Sequence, residues 1–228
     1  MTSEPETTDW IITAPPLRAV PSGANLIAWE VYRILGNPSG KNLRVIDLRY
    51  TMPNPLSLIF SEASDLSRSG VEARISNRRS LLEGKGAPKP DPADFRGRGV
   101  IVINDINVTG TQQRFLQKVI EPVEPASIHW LYIIQVDAAL GLANPEIEYS
   151  LNNLSLQSFE ELARIVSSAD VDYTSRCITR HFRYPEDMLK PLIESLDGAR
   201  RTRLRQLVDD EGAYTGGEIA SKVALLRE

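Results

Sequence analysis

Along most of the chain, segments whose hydrophobic pattern is typical of helices follow segments whose pattern is typical of buried strands. Apolar residues at helical spacing in Ala24–Leu35, followed by Gly36-Asn37-Pro38, predict a helix with a defined end. Strands are predicted at Leu43–Leu48, at the continuous apolar, β-branched run Val100–Ile103, and at Ser127–Val136, which is rich in β-branched and aromatic residues. A helix is expected at Gly110–Ile120, between the last two strands. This order predicts an α/β fold with a mostly parallel sheet and right-handed crossovers.

The two ends of the chain depart from this order. Met1–Pro21 is rich in Thr, Pro and Glu and is interpreted as an extended N-terminal arm. Ile147–Leu151 predicts one more strand, and a helical region begins at Ser158, which forms an approximate capping box with Glu161. Further helices are predicted at Asp187–Leu196, Arg200–Asp209 and Tyr214–Arg227. We therefore predict an arm (residues 1–21), an α/β core (22–153) and a helical C-terminal subdomain (154–228).

The composition and net charge of the chain argue against several classes of protein. The chain has 228 residues, 42% hydrophobic and 25% charged, as is ordinary for a globular protein. Its net charge of −4 argues against nucleic-acid binding, which needs a basic surface. No apolar stretch approaches the length of a membrane span, and the acidic N-terminus does not resemble a signal peptide. One cysteine, Cys177, excludes an internal disulfide. We expect a soluble, cytoplasmic protein that binds neither nucleic acid nor membranes.

Polar residues follow the predicted strand Val100–Ile103. Asn104 and Asp105 are expected at the carboxyl edge of the sheet, where open α/β sheets bind ligands. The Asp105 carboxylate can accept hydrogen bonds from vicinal sugar hydroxyls or help to hold a hydrated Mg²⁺. Asn104 can form hydrogen bonds but adds no charge.

The segment Val108–Gln112 is predicted to be a turn that leads into a helix. Gly110 lets successive N–H groups converge and places no side chain between the backbone and a ligand. The hydroxyls of Thr109 and Thr111 add donors, and the positive end of the helix dipole suits a phosphate. A carboxylate beside such a turn matches what a ribose 5-phosphate group requires.

Val100–Gln112 resembles the signature of the type I phosphoribosyltransferases: an apolar strand, two acidic residues, two apolar residues, a variable position and a Thr-Gly-x-Thr-like loop. The resemblance implies a mostly parallel sheet of that type with a helical C-terminal hood or appendix. It also implies transfer of ribose 5-phosphate from 5-phosphoribosyl 1-diphosphate (PRPP) to a small-molecule acceptor, with Mg²⁺ and release of pyrophosphate. Asp105 matches the second acidic position. The matching 5′-phosphate loop is Val108, Thr109, Gly110, Thr111 and Gln112. A homodimer is compatible with this reading.

The chain departs from that signature at three places. Asn104 stands at the first acidic position and removes a charge near the sugar and the metal. Val108 stands where some members carry a catalytic Asp. The candidate pyrophosphate loop, residues 49–54, includes the predicted ligand-binding residues Arg49 and Thr51 but no glycine.

The segment Ser76–Gly99 is basic and contains many glycines and prolines. Loops of this length are usually functional lids or unstructured linkers, and a solvated linker is the alternative reading. The resemblance implies a lid that closes over PRPP. Arg78, Arg79 and Lys85 are then catalytic candidates beside Asp105, because lid cations can stabilise the departing pyrophosphate.

Other readings of the chain stay open. Asn104–Gln112 can be an ordinary turn with a polar helix cap, since Asx and Thr residues are common in such turns. The chain can be a regulatory protein that binds PRPP or a nucleotide without catalysis and signals through its C-terminal helices. It can also be an interaction module with a vestigial site. His129, beside Trp130 in a predicted strand, is expected to be a packed residue rather than a catalyst.

Overall fold

A computed structural model describes residues 9–36, 42–50, 72, 76, 86–154, 158–212, 214 and 217–227. Contacts between residues divide the chain into two compact units. Among the described residues, the first unit contains 9–17, 23–36, 42–50, 72, 76 and 86–145. The second contains 18–22 and the described residues from 146 onward.

The first unit is built around a four-stranded sheet with the order β2-β1-β3-β4. The strands are β1 (Asp9–Thr13), β2 (Asn42–Val45), β3 (Gly99–Asn107) and β4 (Ser127–Gln135). The described helices of this unit are α1 (Gly23–Leu35), α2 (Pro92–Phe95), α3 (Thr111–Ile120) and α4 (Ala138–Ala143). All three strand pairs are parallel, so the predicted α/β class with a parallel sheet is confirmed.

Apolar clusters lie on both faces of this sheet. Val100 and Val102 of β3 pack in the cluster that contains Phe115 of α3. Ile103 packs in the cluster that contains Ala24 of α1. The sheet is therefore covered by α3 on one face and by α1 on the other, which explains why β3 is a continuous apolar run.

The interpretation of residues 1–21 as an extended arm is wrong for Asp9–Thr13, which form β1 between β2 and β3. Ile11 and Ile12 are both fully buried. A short strand buried on both faces shows no alternation, so this run carried no periodic signal. Residues 1–8 lie outside the described part of the chain.

The described residues of the second unit from 146 onward are largely helical. They form α5 (Ile147–Leu154), α6 (Phe159–Val166), α7 (Ser175–His181), α8 (Glu186–Ser195), α9 (Gly198–Glu211) and α10 (Gly217–Ala224). Its core contains Leu162, Ile178, Leu189 and Leu204, each from a different helix. The capping box is confirmed, since Ser158 Oγ accepts from the Glu161 N–H and Glu161 Oε2 from the Ser158 N–H.

Glu211 joins the short segment 18–22 to these helices. Its Oε2 accepts hydrogen bonds from the Ala19 N–H at 3.1 Å and the Val20 N–H at 2.9 Å, and the residue is 5% exposed. This carboxylate therefore satisfies two backbone donors in the interior of the second unit.

The strand predicted at Ile147–Leu151 is wrong, because these residues begin α5. Ile147, Tyr149 and Leu151 fit the period of a strand, while Ile147 and Leu151 also fit one turn of a helix. A run this short does not distinguish the two. No helix among the described residues is long and apolar enough to cross a membrane.

Candidate functional site

β3 leads into α3 through a tight turn, as predicted. Gly110 is the N-cap residue of α3 and adopts the left-handed conformation, with φ 67° and ψ 3°. A β-branched residue is strongly disfavoured there. The strand extends to Asn107, beyond its predicted end at Ile103, so Asn104 and Asp105 lie within β3 rather than after it.

Hydrogen bonds within the turn hold it in one conformation. Asn107 Oδ1 accepts from the Gly110 N–H at 3.0 Å. The Thr109 and Thr111 hydroxyl oxygens lie 2.9 Å apart, and Thr109 Oγ1 accepts from the Thr111 N–H at 3.4 Å. A phosphate bound at this turn would take up the N–H groups and hydroxyls in exchange for these internal bonds.

Arg114 brings a permanent positive charge to the turn. Its Nη2 donates to the Thr109 carbonyl at 3.0 Å and to Thr111 Oγ1 at 3.4 Å. A β-carbon at Gly110 would lie 3.0 Å from Arg114 Nη1. Sequence analysis missed this residue, although it lies one helical turn after Gly110, where side chains of a helix reach back towards its N-terminus.

Asn104 and Asp105 point to opposite faces of the sheet, because successive strand residues alternate. Asn104 is 5% exposed, and its Nδ2 donates to the Ile106 carbonyl at 3.2 Å. Asp105 is half-buried, and a β-carbon on Gly23 would lie 3.5 Å from its Oδ2. The Asp105 carboxylate therefore lies against the first residue of α1, where the helix dipole favours negative charge.

A network of carboxamides and one phenol links the turn to β4 and α3. Asn107 Nδ2 donates to Gln135 Oε1 at 3.0 Å and to Gln113 Oε1 at 3.5 Å. The Tyr132 hydroxyl donates to Gln113 Oε1 at 2.8 Å. Burial raises the pKa of Tyr132 to about 12, so this hydroxyl remains a donor at neutral pH. The network fixes the Asn107 side chain that accepts from Gly110.

The other side of the turn packs against α4. Val108 is buried, and a β-carbon on Gly141 would lie 2.0 Å from the Val108 carbonyl oxygen. Only a glycine at position 141 allows this approach of backbone to backbone. The Val108 side chain is thus packed in the protein, while its neighbours Thr109 and Gly110 form the turn.

Arg49, predicted to bind the pyrophosphate, follows β2 and lies 3.7 Å from Asp47 through Nη2 and Oδ2. Asp47 Oδ1 also accepts from Trp29 Nε1 at 2.9 Å. The other predicted residues of the pyrophosphate loop and the lid lie outside the described residues: Thr51, Arg78, Arg79 and Lys85.

The end of the predicted lid segment is packed structure rather than loop. Residues 92–95 form α2, and Phe95 is fully buried. Arg96 pairs with Glu124 at 2.9 Å, and Arg98 donates to the carbonyl of Ala93 at 2.6 Å. The assignment of Ser76–Gly99 as one loop is therefore wrong over this part, because one buried aromatic residue anchors it to the sheet.

Asp105 is the carboxylate available to a metal at this site. Within the described ranges no group of three or more His, Cys, Asp or Glu residues could hold a metal ion. Mg²⁺ commonly uses one or two carboxylates together with substrate phosphates, so Asp105 fits a metal that the substrate largely holds.

His129 is packed as expected, with Nε2 3.1 Å from Ser127 Oγ and its ring 5.4 Å from that of Trp10.

No protein-family model, curated protein or solved structure matches this chain. The functional interpretation therefore depends on three features of the first unit. These are the glycine-capped turn, the Arg114 guanidinium and the Asp105 carboxylate.

Proposed function

We propose that the chain is a Mg²⁺-dependent phosphoribosyltransferase of type I, which transfers ribose 5-phosphate from PRPP to a small nucleophile and releases pyrophosphate. The observation that carries the proposal is Gly110 in the left-handed conformation at the start of α3, with Arg114 bonded across the turn. Converging amides, a helix N-terminus and a guanidinium together suit a phosphate dianion. The parallel four-stranded sheet of the first unit supports the type I fold.

In this proposal the turn binds the 5′-phosphate of PRPP. The N–H groups of residues 108–112 and the hydroxyls of Thr109 and Thr111 donate to the phosphate oxygens. Arg114 contributes charge and up to two further donors from a planar fork that matches phosphate geometry. The turn is positioned by Asn107 on one side and by Gly141 on the other.

Asp105 accepts hydrogen bonds from the ribose hydroxyls, since an ionised carboxylate is a strong acceptor. Mg²⁺ supplies positive charge to the diphosphate leaving group, and Asp105 would hold it together with substrate oxygens. Positioning and charge stabilisation provide most of the rate. Arg78, Arg79 and Lys85 are proposed to stabilise the departing pyrophosphate, and Arg49 and Thr51 to contact it.

A second candidate is a regulatory protein that binds PRPP or a nucleotide without turning it over. One observation favours it: Asn104, at the first acidic position, is buried and donates to its own strand rather than to a ligand site. Within the described strand and turn, residues 99–114, Asp105 is then the one carboxylate that can hold the sugar and the metal.

Calorimetry with Mg²⁺ and PRPP, followed by a pyrophosphate-release assay over a panel of nitrogenous bases, separates the candidates. Binding with base-dependent release supports the transferase. Binding without release for any base supports the regulatory protein. Absence of PRPP binding contradicts the transferase. Absence of both PRPP and nucleotide binding contradicts the regulatory protein as well and leaves an ordinary capped turn.

A further inference from the structure

β4 is an edge strand of unusual composition. Among the strands that the structure describes it is the last in the order β2-β1-β3-β4, and none of its nine residues, Ser127–Gln135, is charged. Leu131 is 51% exposed and Ile133 67% exposed. Edge strands are normally protected by charges, prolines or short length, because an open apolar edge is a template for pairing with another strand.

The opposite edge of the same sheet is protected against strand addition in the usual ways. β2 is only four residues long and carries Arg44, which pairs with Asp94 at 3.6 Å. The two edges of one sheet therefore differ in length, charge and apolar exposure. The features that block strand addition at β2 are missing from β4.

The backbone of β4 offers a regular row of donors and acceptors. The Val136 N–H donates to the Asn107 carbonyl at 2.9 Å and so points towards β3. In a strand the N–H and C=O of one residue point to the same side, and the next residue points to the other. The residues whose backbone groups point to the free edge are thus Ser127, His129, Leu131, Ile133 and Gln135.

We propose that two copies of this chain pair their β4 strands in antiparallel orientation about a twofold axis at Leu131, which joins the two sheets into one. This register places Leu131 opposite its own counterpart and uses the whole strand. The remaining cross-strand pairs are Ser127 with Gln135, Ile128 with Ile134, His129 with Ile133, and Trp130 with Tyr132.

The sequence of β4 is largely self-complementary in this register. Three of the four pairs around Leu131 join side chains of related kind, namely small polar with amide, isoleucine with isoleucine and aromatic with aromatic, and the fourth sets His129 opposite Ile133. Such pairs stabilise antiparallel strands, and no like charges face each other. A strand without charge offers nothing that would select an acidic or basic partner instead.

The contact also supplies a full set of backbone hydrogen bonds. The outward-facing residues of both strands would exchange about ten backbone hydrogen bonds, which is the number in a typical protein interface. A twofold pair uses both β4 edges at once, so the assembly closes as a dimer rather than growing into a fibre.

Light scattering coupled to size-exclusion chromatography tests the association with the full chain. We expect a dimer for the unaltered protein and a monomer for Leu131→Lys, because paired lysines would meet at the axis. Ile34→Lys is the control, since Ile34 is 68% exposed on α1 of the same unit. A monomeric unaltered protein, or a dimer that Leu131→Lys leaves intact, overturns the proposal.

Disulfide cross-linking tests the register independently of any loss of folding. In a Cys177→Ala background, Leu131→Cys should cross-link two chains under mild oxidation, because a hydrogen-bonded antiparallel pair has Cα atoms about 5.5 Å apart. The single variant Ile133→Cys should not cross-link, since Ile133 of each copy lies opposite His129 of the other copy and the two Ile133 residues do not meet. Equal cross-linking at both positions, or none at position 131, overturns the register.

Discussion

Arg114 gives the turn a positive charge, and its role in binding is the one most easily separated from folding. Its side chain is exposed, and within the described residues its two hydrogen bonds both go to the turn. We predict that Arg114→Gln weakens PRPP binding about tenfold, which corresponds to about 1.4 kcal/mol.

Lys118→Gln is the matched control for this charge, because Lys118 is exposed on the same helix but one turn further from Gly110. Calorimetry with PRPP at fixed ionic strength is the measurement. Equal weakening by both variants would mean that only the overall charge of α3 matters.

Asp105 is the residue on which recognition of the sugar depends. Asp105→Asn keeps an oxygen that can accept from the Ile106 N–H, as Oδ1 now does at 2.9 Å, but removes the charge. We predict a loss of Mg²⁺·PRPP affinity of at least about tenfold with little change in thermal stability. Unchanged affinity in calorimetry would contradict the assignment of Asp105 to the ribose and metal.

Sequence reasoning could identify Asp105 and Gly110 because both follow directly from a strand, a turn and a helix in succession. It could not identify Gly23, Gln113 or Tyr132. These residues reach the site only through the packing of α1, α3 and β4 around β3, which no local pattern encodes.

At the level of elements, α4 sets the position of the turn through one close contact. Helix propensity alone would make Gly141→Ala stabilising by about 1 kcal/mol. The clash at 2.0 Å with the Val108 carbonyl should outweigh this, and we predict a net destabilisation of about 1–3 kcal/mol.

Denaturant unfolding of Gly141→Ala beside Gly198→Ala checks this prediction. Gly198 begins α9, and a β-carbon there meets nothing within 4 Å, so its replacement should be neutral or mildly stabilising. If Gly141→Ala were as stable as Gly198→Ala, this result would contradict the close packing of α4 against the Val108 carbonyl.

The elements that sequence located well have a long hydrophobic pattern, which is periodic in α1 and a mainly apolar run in β3 and β4. The failures have specific causes. β1 is too short and too completely buried to alternate, and Ile147–Leu151 fits two periods at once. The end of β3 was placed too early because the polar residues from Asn104 onward interrupt the apolar run without ending the strand.

At the level of the whole molecule, the helical unit should respond to acid separately from the phosphate site. His181 is 1% exposed, and neither ring nitrogen has a hydrogen-bond partner within the described part of the chain. Burial lowers the pKa of His181 from 6.5 to about 4. The unfolded chain therefore binds the proton more readily than the folded one, and stability falls as pH drops from about 6.5 to about 4.

We predict that this histidine accounts for an acid-dependent loss on the order of 3 kcal/mol. His181→Phe should flatten the dependence of the urea midpoint on pH over that range, measured by circular dichroism. An unaltered slope in His181→Phe would exclude His181 as its source.

The order of the predicted strands and helices was sufficient to predict the α/β class, although the parallel strand pairs that define this class join residues far apart in the chain. Family and function rest on a shorter stretch, the turn from Asn107 to Arg114 with the carboxylate before it. They therefore remain a proposal that binding experiments must test.

The most direct measurement compares Gly110→Val with Gly36→Val in calorimetry with Mg²⁺ and PRPP. Both glycines have positive φ, 67° and 59°, so both variants carry similar backbone strain, but a β-carbon at Gly36 meets nothing within 4 Å. We predict that Gly110→Val loses PRPP binding while Gly36→Val binds as the unaltered chain does. Normal PRPP binding by a folded Gly110→Val would contradict the proposal that this turn holds the sugar phosphate.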